Sequence, residues 1–101
     1  MTSKERAFLR GIANKTETKY QIGKNGIDQN FIRLISDALE ARELIKIHVL
    51  ENSGYDVRTI CGVLCDAVDA EPVQCIGRKI IIYRKSRENQ KIDLKNLSIR
   101  E

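Results

Sequence analysis

The sequence lacks an apolar run long enough to cross a membrane, and it does not begin with a basic stretch followed by a pure apolar block. A membrane span needs roughly 18 consecutive apolar residues. A secretion signal needs a basic stretch followed by an apolar block. We therefore expect a cytoplasmic chain that has no membrane partner. Its 101 residues suit one domain with a single modest core.

Cysteine and histidine are scarce, with three cysteines and one histidine in the sequence. The odd number and wide spacing of Cys61, Cys65 and Cys75 do not fit a secreted disulfide framework. Short Cys-x-x-Cys pairs, usual at structural zinc sites, are missing, so we expect no metal and no cofactor. A thiol enzyme needs a base beside its nucleophile, and His48 is predicted on the polar side of a strand. We therefore expect no catalytic residues and no small-molecule substrate, and the cysteines act as small buried hydrophobic residues, with the exposure of Cys65 left open.

Basic residues outnumber acidic residues at both ends of the sequence. Residues 1–26 carry six Lys or Arg against two Glu, and residues 84–101 carry six against three, whereas residues 27–83 carry six against nine acidic residues. The three blocks have net charges of +4, +3 and −3 respectively. This asymmetry favours a polyanionic partner, although a basic end is also a common solubilising surface.

Hydrophobic periodicity predicts a single compact α/β domain. In chain order we expect a helix over about 3–13, a strand over 19–22, a helix after the N-cap Asp28, a strand over 44–50, a helix over about 56–70, and strands over 73–76 and 80–83. Pro72 is expected to end the third helix. The order α-β-α-β-α-β-β predicts a mixed four-stranded sheet with helices packed on it. Because Lys46 and His48 alternate with apolar residues, we expect helices on one side of the sheet only.

The second predicted helix carries the most regular apolar stripe. Its members recur at i, i+4, i+7, i+8 and i+11, and they are Ile27, Phe31, Leu34, Ile35 and Ala38. The apolar residues of the last block have no such period, so we predict a domain over 1–84 and a charged, flexible or weakly helical tail over 85–101.

A Gly23-Lys24-Asn25-Gly26 loop lies between a predicted strand and a predicted helix. Glycines at both ends let the backbone turn sharply and leave no side chain to block a phosphate. Free N–H groups at the start of the following helix favour an anion, and Lys24 adds a positive charge. An ordinary turn rich in turn formers is the alternative interpretation. The ending and spacing of a nucleotide-binding P-loop are missing, whereas a KH domain uses a similar clamp to hold about four nucleotides.

Further candidate RNA-binding residues are the cationic side chains of the first block. They are Lys4, Arg6, Arg10, Lys15 and Lys19, in addition to Lys24. Aromatic residues make up only 5% of the sequence, and Tyr20 and Tyr83 lie in strands where core packing is expected. We therefore expect recognition of RNA backbone and shape, with little reading of bases. Later basic residues extend this surface or form a solvated edge, and they are Arg78, Lys79, Arg84, Lys85 and Arg87.

Three longer stretches occur together in a known family, in the same order and at matching separations. They are TSKERAFLRGIA, QIGKNGIDQNFIRLISDALEARELIKIHVL and VQCIGRKIIIYR, within residues 2–84. The sequence therefore resembles the CRM (chloroplast RNA splicing and ribosome maturation) domain family, specifically its stand-alone bacterial YhbY proteins. Its departures are Cys61 and Cys65, where the family usually has Ala or Glu, and the long stretch after Arg84.

The resemblance implies a compact fold related to the C-terminal domain of bacterial translation initiation factor three. It also implies RNA contact through Gly23 to Gly26 and association with precursors of the large ribosomal subunit. We therefore predict a monomeric, non-enzymatic RNA-binding protein that assists ribosome assembly by binding ribosomal RNA. The main alternative is a protein-interaction adaptor whose basic ends dock an acidic partner protein, and a metal or thiol enzyme is a more remote one.

Overall fold

A four-stranded mixed sheet and three helices form the main body of the protein in a computed structural model that describes residues 1–100. The helices are α1 Ser3–Ala13, α2 Gln29–Arg42 and α3 Val57–Val68, and a short 3-10 turn spans Glu51–Ser53. The strands are β1 Thr18–Ile22, β2 Leu44–Val49, β3 Glu71–Ile76 and β4 Lys79–Tyr83, followed by two short strands, β5 Ile92–Asp93 and β6 Ser98–Ile99. None of the helices in the described part is long and apolar enough to span a membrane.

The sheet has the order β1-β2-β4-β3. Strands β1 and β2 are parallel and are connected through α2, whereas β4 is antiparallel to both β2 and β3. The predicted fold class, element order and mixed sheet are therefore confirmed. Because β1 and β2 are parallel, they begin at the same end of the sheet, and the Gly23–Gly26 loop lies at the opposite end.

Helices cover both faces of the sheet, so the expectation of helices on one side only is wrong. Helices α2 and α3 pack on the face that carries Ile80 and Ile82. Helix α1 packs on the other face, where Leu9 joins Ile81 and Tyr83 in a second buried cluster. The reason is that β4 is apolar at successive positions, which is typical of a strand buried on both faces.

Helix α3 ends before the proline that was expected to terminate it. Its last residue is Val68, and Asp69 has a left-handed backbone with φ of 59°. Aspartate tolerates this conformation better than most residues, so it can end a helix as glycine does. Pro72 instead lies in β3, an edge strand, where the missing N–H of proline does no harm.

Residues 85–100 fold against the rest of the protein, unlike the flexible or weakly helical tail expected from the sequence. Strands β5 and β6 pair within this segment, and Ile92 is buried in the same cluster as Leu9. The fully buried carboxylate of Glu43 fixes the segment by accepting hydrogen bonds from the N–H groups of Ser86, Lys91 and Ile92 at 2.7 to 2.8 Å. These partners lie more than 40 residues away in the chain, so no local pattern reveals them.

A second carboxylate at the end of α2 also holds the segment. Glu40 accepts hydrogen bonds from the Ser86 hydroxyl at 2.7 Å and from the Arg87 N–H at 3.1 Å. These bonds hold the pKa of Glu40 below its usual range. The stabilisation is therefore complete above the ordinary carboxyl pKa and is lost as the pH falls below the lowered value.

Replacing Glu43 with Ala is expected to lower the free energy of unfolding by roughly 2–4 kcal/mol, because three N–H groups lose a charged acceptor. Urea denaturation measures this change, and amide hydrogen exchange at residues 86–92 should accelerate with it. Glu88→Ala is the control, since Glu88 is an exposed carboxylate of the same segment. A Glu43→Ala variant as stable as the parent chain would show that the segment does not depend on this carboxylate.

Candidate nucleic-acid interface

The Gly23–Gly26 loop is a tight turn at the end of β1. The Gly26 N–H donates to the Gly23 carbonyl oxygen at 3.0 Å, which closes a four-residue turn. Lys24 and Asn25 form the exposed tip, and the closing bond does not use their N–H groups. The turn therefore leaves two backbone donors and the Lys24 ammonium at the surface.

The two glycines of the loop have different structural roles. Gly26 has a left-handed backbone with φ of 65°, and a side chain there would collide with the Tyr55 hydroxyl, with the Tyr55 Cζ only 2.9 Å from its Cβ. A side chain at Gly23 would meet nothing closer than Leu50 Cδ1 at 3.7 Å, an ordinary contact. Of these two glycines, only Gly26 is required by the fold of the loop itself.

Tyr55 braces the loop from a neighbouring turn. Its hydroxyl donates to the Lys24 carbonyl oxygen at 3.3 Å. The position of Tyr55 is fixed in turn by the Arg78 guanidinium, which donates to the Tyr55 carbonyl at 2.9 Å and to the Leu50 carbonyl at 3.1 Å. Sequence reasoning missed this role because the hydroxyl and its acceptor lie 31 residues apart in the chain.

The N-terminus of α2 is less open to an anion than the sequence suggested. The Asp28 carboxylate accepts a hydrogen bond from the Phe31 N–H at 2.8 Å and caps the helix. An anion supplied by the protein already occupies this positive end, so its attraction for a phosphate is reduced. The groups that remain for phosphate are therefore the tip of the turn and the Lys24 side chain. The N-terminus of α2 contributes less to phosphate binding than the sequence predicted.

A shallow groove runs from the loop along α2. Its walls include Gln21, Asn30, Phe31 and Leu34 in addition to the loop residues. Leu34 is 50% exposed, although it belongs to the apolar period that predicts the helix. It lies at the outer margin of the apolar stripe, and the groove therefore places an exposed apolar side chain beside a cationic turn.

The predicted cationic residues do not form one cluster. Lys24 alone belongs to the loop groove, whereas Lys15 and Lys19 line a separate depression near the start of β1. Lys4 and Arg10 lie on α1, exposed and half-buried respectively. Arg6 has a structural contact, because its guanidinium donates to the Pro72 carbonyl oxygen at 2.8 Å.

Two of the later basic residues also have structural contacts. Besides the bonds from Arg78 to the Tyr55 turn, Arg84 donates to the Ser36 carbonyl at 2.7 Å and to the Val68 carbonyl at 2.8 Å, which ties α2 to the end of α3. These guanidinium groups are therefore committed to holding the fold, in contrast to the exposed Lys79, Lys85 and Arg87 side chains.

The cysteines lie in the core rather than in a reactive site. Cys61 and Cys65 are buried and Cys75 is half-buried. A hydrogen bond with Cys65, together with burial, raises the pKa of the Cys61 thiol. His48 lies on the opposite face of the sheet, so no histidine adjoins these thiols. Within residues 1–100, no group of three or more His, Cys, Asp or Glu side chains is placed to hold a metal ion.

Comparisons with known proteins agree on one family. A family model described as the CRS1 / YhbY (CRM) domain matches residues 1–84. Probable RNA-binding protein YqeI of Bacillus subtilis is 40% identical over 94 residues, which cover 93% of this chain and 98% of that protein. An RNA-binding protein of Haemophilus influenzae is 30% identical over 88 residues, which cover 87% and 89% of the two chains.

A solved structure has the same fold. It is the solution structure of the hypothetical protein SAV1595 from Staphylococcus aureus, described as an RNA-binding candidate. It superposes with a TM-score of 0.76 at 45% identity, over 92% of this chain and 97% of that chain. All three relatives are described in terms of RNA binding, and none of them is described as an enzyme.

Proposed function

Because this chain belongs to the CRS1/YhbY (CRM) domain family, we propose that it is a non-enzymatic RNA-binding protein that grips RNA backbone at the Gly23–Gly26 loop. The observation that carries the proposal is the exposed tip of this turn, with two backbone N–H groups not used by the closing bond and a lysine beside them. The descriptions of the bacterial relatives as RNA-binding proteins support the choice of RNA as ligand.

The loop chemistry suits a phosphodiester. The N–H groups of Lys24 and Asn25 donate to the non-bridging oxygens of one phosphate, and the Lys24 ammonium strengthens the contact as a charge-assisted bond. Such contacts position a strand without reading its sequence. A neighbouring base lies against Leu34 in the groove, because the flat face of every base is apolar.

The resemblance to stand-alone bacterial YhbY proteins supports a finer proposal. The RNA is ribosomal RNA in precursors of the large subunit, and the protein acts there as a monomeric assembly factor in the cytoplasm. The net charge of +4 over residues 1–26 supports electrostatic attraction to so dense a polyanion.

Nuclease treatment of a cell extract before sedimentation tests whether RNA is the partner. If RNA holds the protein in a fast-sedimenting particle, digestion releases it to the top of the gradient. If the protein stays with the particle after complete digestion, an acidic protein partner holds it and the adaptor interpretation is correct.

Shortening Leu34 to Ala is expected to weaken binding of single-stranded RNA by roughly fivefold, since a base loses about 1 kcal/mol of apolar contact. Fluorescence anisotropy with an end-labelled RNA measures this change. Val63→Ala is the matched control, because Val63 is an exposed apolar residue on α3 with a relative exposure of 54%. Equal affinities for the two variants would remove Leu34 from the binding surface.

A further inference from the structure

A second depression lies near the starts of β1 and β2, at the end of the sheet opposite the loop. Cationic side chains from four parts of the chain line it, and they are Lys15, Lys19, Arg42, Lys46 and Lys91. The lining contains a single carboxylate, that of Glu17. Five cations against one anion make this depression strongly positive, although the chain as a whole carries only +4.

The floor of the depression is apolar. Ile12 from α1, Leu44 from β2 and Ile92 from the 85–100 segment form part of its lining, and the last two are buried. Charges held over such a floor are screened less by water than charges on an open surface. Their mutual repulsion is costly, and a bound polyanion relieves it.

The 85–100 segment forms one wall of the depression through Lys91, Ile92 and Ile99. This wall is held in place because the N–H groups of Lys91 and Ile92 donate to the buried Glu43 carboxylate. That carboxylate is occupied by these N–H groups and by the N–H of Ser86. The segment therefore presents the Lys91 side chain from a fixed backbone rather than from a mobile tail.

The depression and the loop groove lie along the same strand. Lys19 lines the depression, and Gln21, two residues further along β1, lines the loop groove. The pairing of β1 with β2 is irregular at Lys19, between Thr18 and Tyr20. On the adjacent strand β2, Lys46 and His48 lie on the same face of the sheet as Gln21, because His48 is the register partner of Gln21. The strand β1 is extended up to Ile22, just before the Gly23–Gly26 turn, so Lys19 lies roughly 10 Å from the end of the strand that leads into the loop.

We propose that the depression is a second binding site for RNA backbone, so that one strand follows β1 from the Gly23–Gly26 loop to the cluster of cations. This inference rests on the proposed function at the loop. The 85–100 segment thereby becomes part of the RNA-binding surface, although it lies outside the 1–84 region that the family model matches.

Length-dependent binding tests the second site on the full chain. One single-stranded RNA has about four nucleotides, the length that a GxxG clamp holds. The other has about twelve nucleotides, which is long enough to pass the whole of β1, a strand of five residues that spans roughly 17 Å. The test variant is Arg42→Gln combined with Lys91→Gln, and the control, Lys85→Gln combined with Lys95→Gln, removes the same charge from exposed lysines outside the depression.

The test variant should bind the long RNA about tenfold more weakly than the parent chain and the short RNA equally well. Its plot of log affinity against log salt should be shallower by about 1.4, since two contacts to a single strand are lost. The control should change either affinity by less than about twofold. Unchanged binding of the long RNA by the test variant, or an equal loss in the control, would overturn the second site.

Different results would contradict the proposal for the loop and the proposal for the second site. If Lys24→Ala leaves the short RNA bound as before, the proposed function at the loop is wrong. If Lys24→Ala weakens the short RNA while Arg42 and Lys91 have no effect on the long one, only the second site is wrong. A polyglutamate peptide with the same number of charges should bind far more weakly than the long RNA, and equal binding would assign the depression to an acidic protein.

Discussion

A variant with Asp at both Lys24 and Asn25 is expected to bind single-stranded RNA at least about 100-fold more weakly than the parent chain. The two substitutions change the charge of the turn by −3 and place carboxylates where we propose that a phosphate binds. A pair of unit charges at 4 Å interacts by roughly 1 kcal/mol in water and by about 4 kcal/mol near a protein surface. A total of about 2.7 kcal/mol is therefore a modest expectation, and fluorescence anisotropy at fixed salt measures it.

The fold should survive this change, because both side chains are exposed at the tip of the turn. The free energy of unfolding is expected to stay within about 0.5 kcal/mol of the parent value. Lys95→Asp combined with Asn89→Asp is the control, since it makes the same charge change at exposed positions in the 85–100 segment. A loss that is equally large in the control would reflect net charge alone, and an unaffected loop variant would show that RNA binds elsewhere.

Gly26→Ala is the second substitution with a large expected effect. A left-handed backbone costs a residue with a Cβ about 1–2 kcal/mol, and the new Cβ also meets the Tyr55 ring. We expect the free energy of unfolding to fall by roughly 1–3 kcal/mol. The turn should shift to relieve the collision, and RNA affinity should then fall by at least about tenfold because the backbone donors are misplaced.

Gly23→Ala is the matched control, because its Cβ makes only an ordinary contact with Leu50. Its stability should equal or slightly exceed that of the parent chain. The cost of Gly26→Ala should also be smaller in a Tyr55→Phe background, where the nearest atom is gone, so a double-mutant cycle isolates the collision. Equal costs for the two glycines would contradict the different roles that the structure gives them.

Local signals made the order of elements predictable. The capping box of Thr2 and Glu5 marks the start of α1, and Asp28 marks the start of α2. Alternation in β2 and the two-residue turn at Gly77 likewise depend on neighbouring residues only. Such patterns reflect the geometry of a single helix, strand or turn, so they can be recognised in the sequence alone.

The features that the sequence did not reveal depend on contacts between distant residues. Glu43 organises a segment more than 40 residues away, and nothing near Glu43 in the sequence indicates this role. Leu34 fits the apolar period of α2, yet it lies beside the face of the helix that packs on the core and is half exposed. The position of α1 also followed from the two apolar faces of β4, which a simple period-two pattern does not predict.

In the candidate site too, local features were predictable from the sequence and contacts between distant residues were not. The loop was recognisable because two glycines and a lysine stand between a strand and a helix. The bracing of that loop by Tyr55, and of Tyr55 by Arg78, needs residues from two other turns. The separation of Lys15 and Lys19 from Lys24 likewise depends on the direction of β1 and on the fold of the 85–100 segment.

Amide chemical shifts during a titration with short single-stranded RNA show directly whether the RNA binds at the Gly23–Gly26 turn. We expect the largest changes at the N–H groups of Lys24, Asn25 and Gly26, with smaller ones along the groove to Leu34. The exposed surface of α3 around Val63 should not respond. If the loop amides keep their shifts at saturation while another surface moves, the RNA does not bind at this turn.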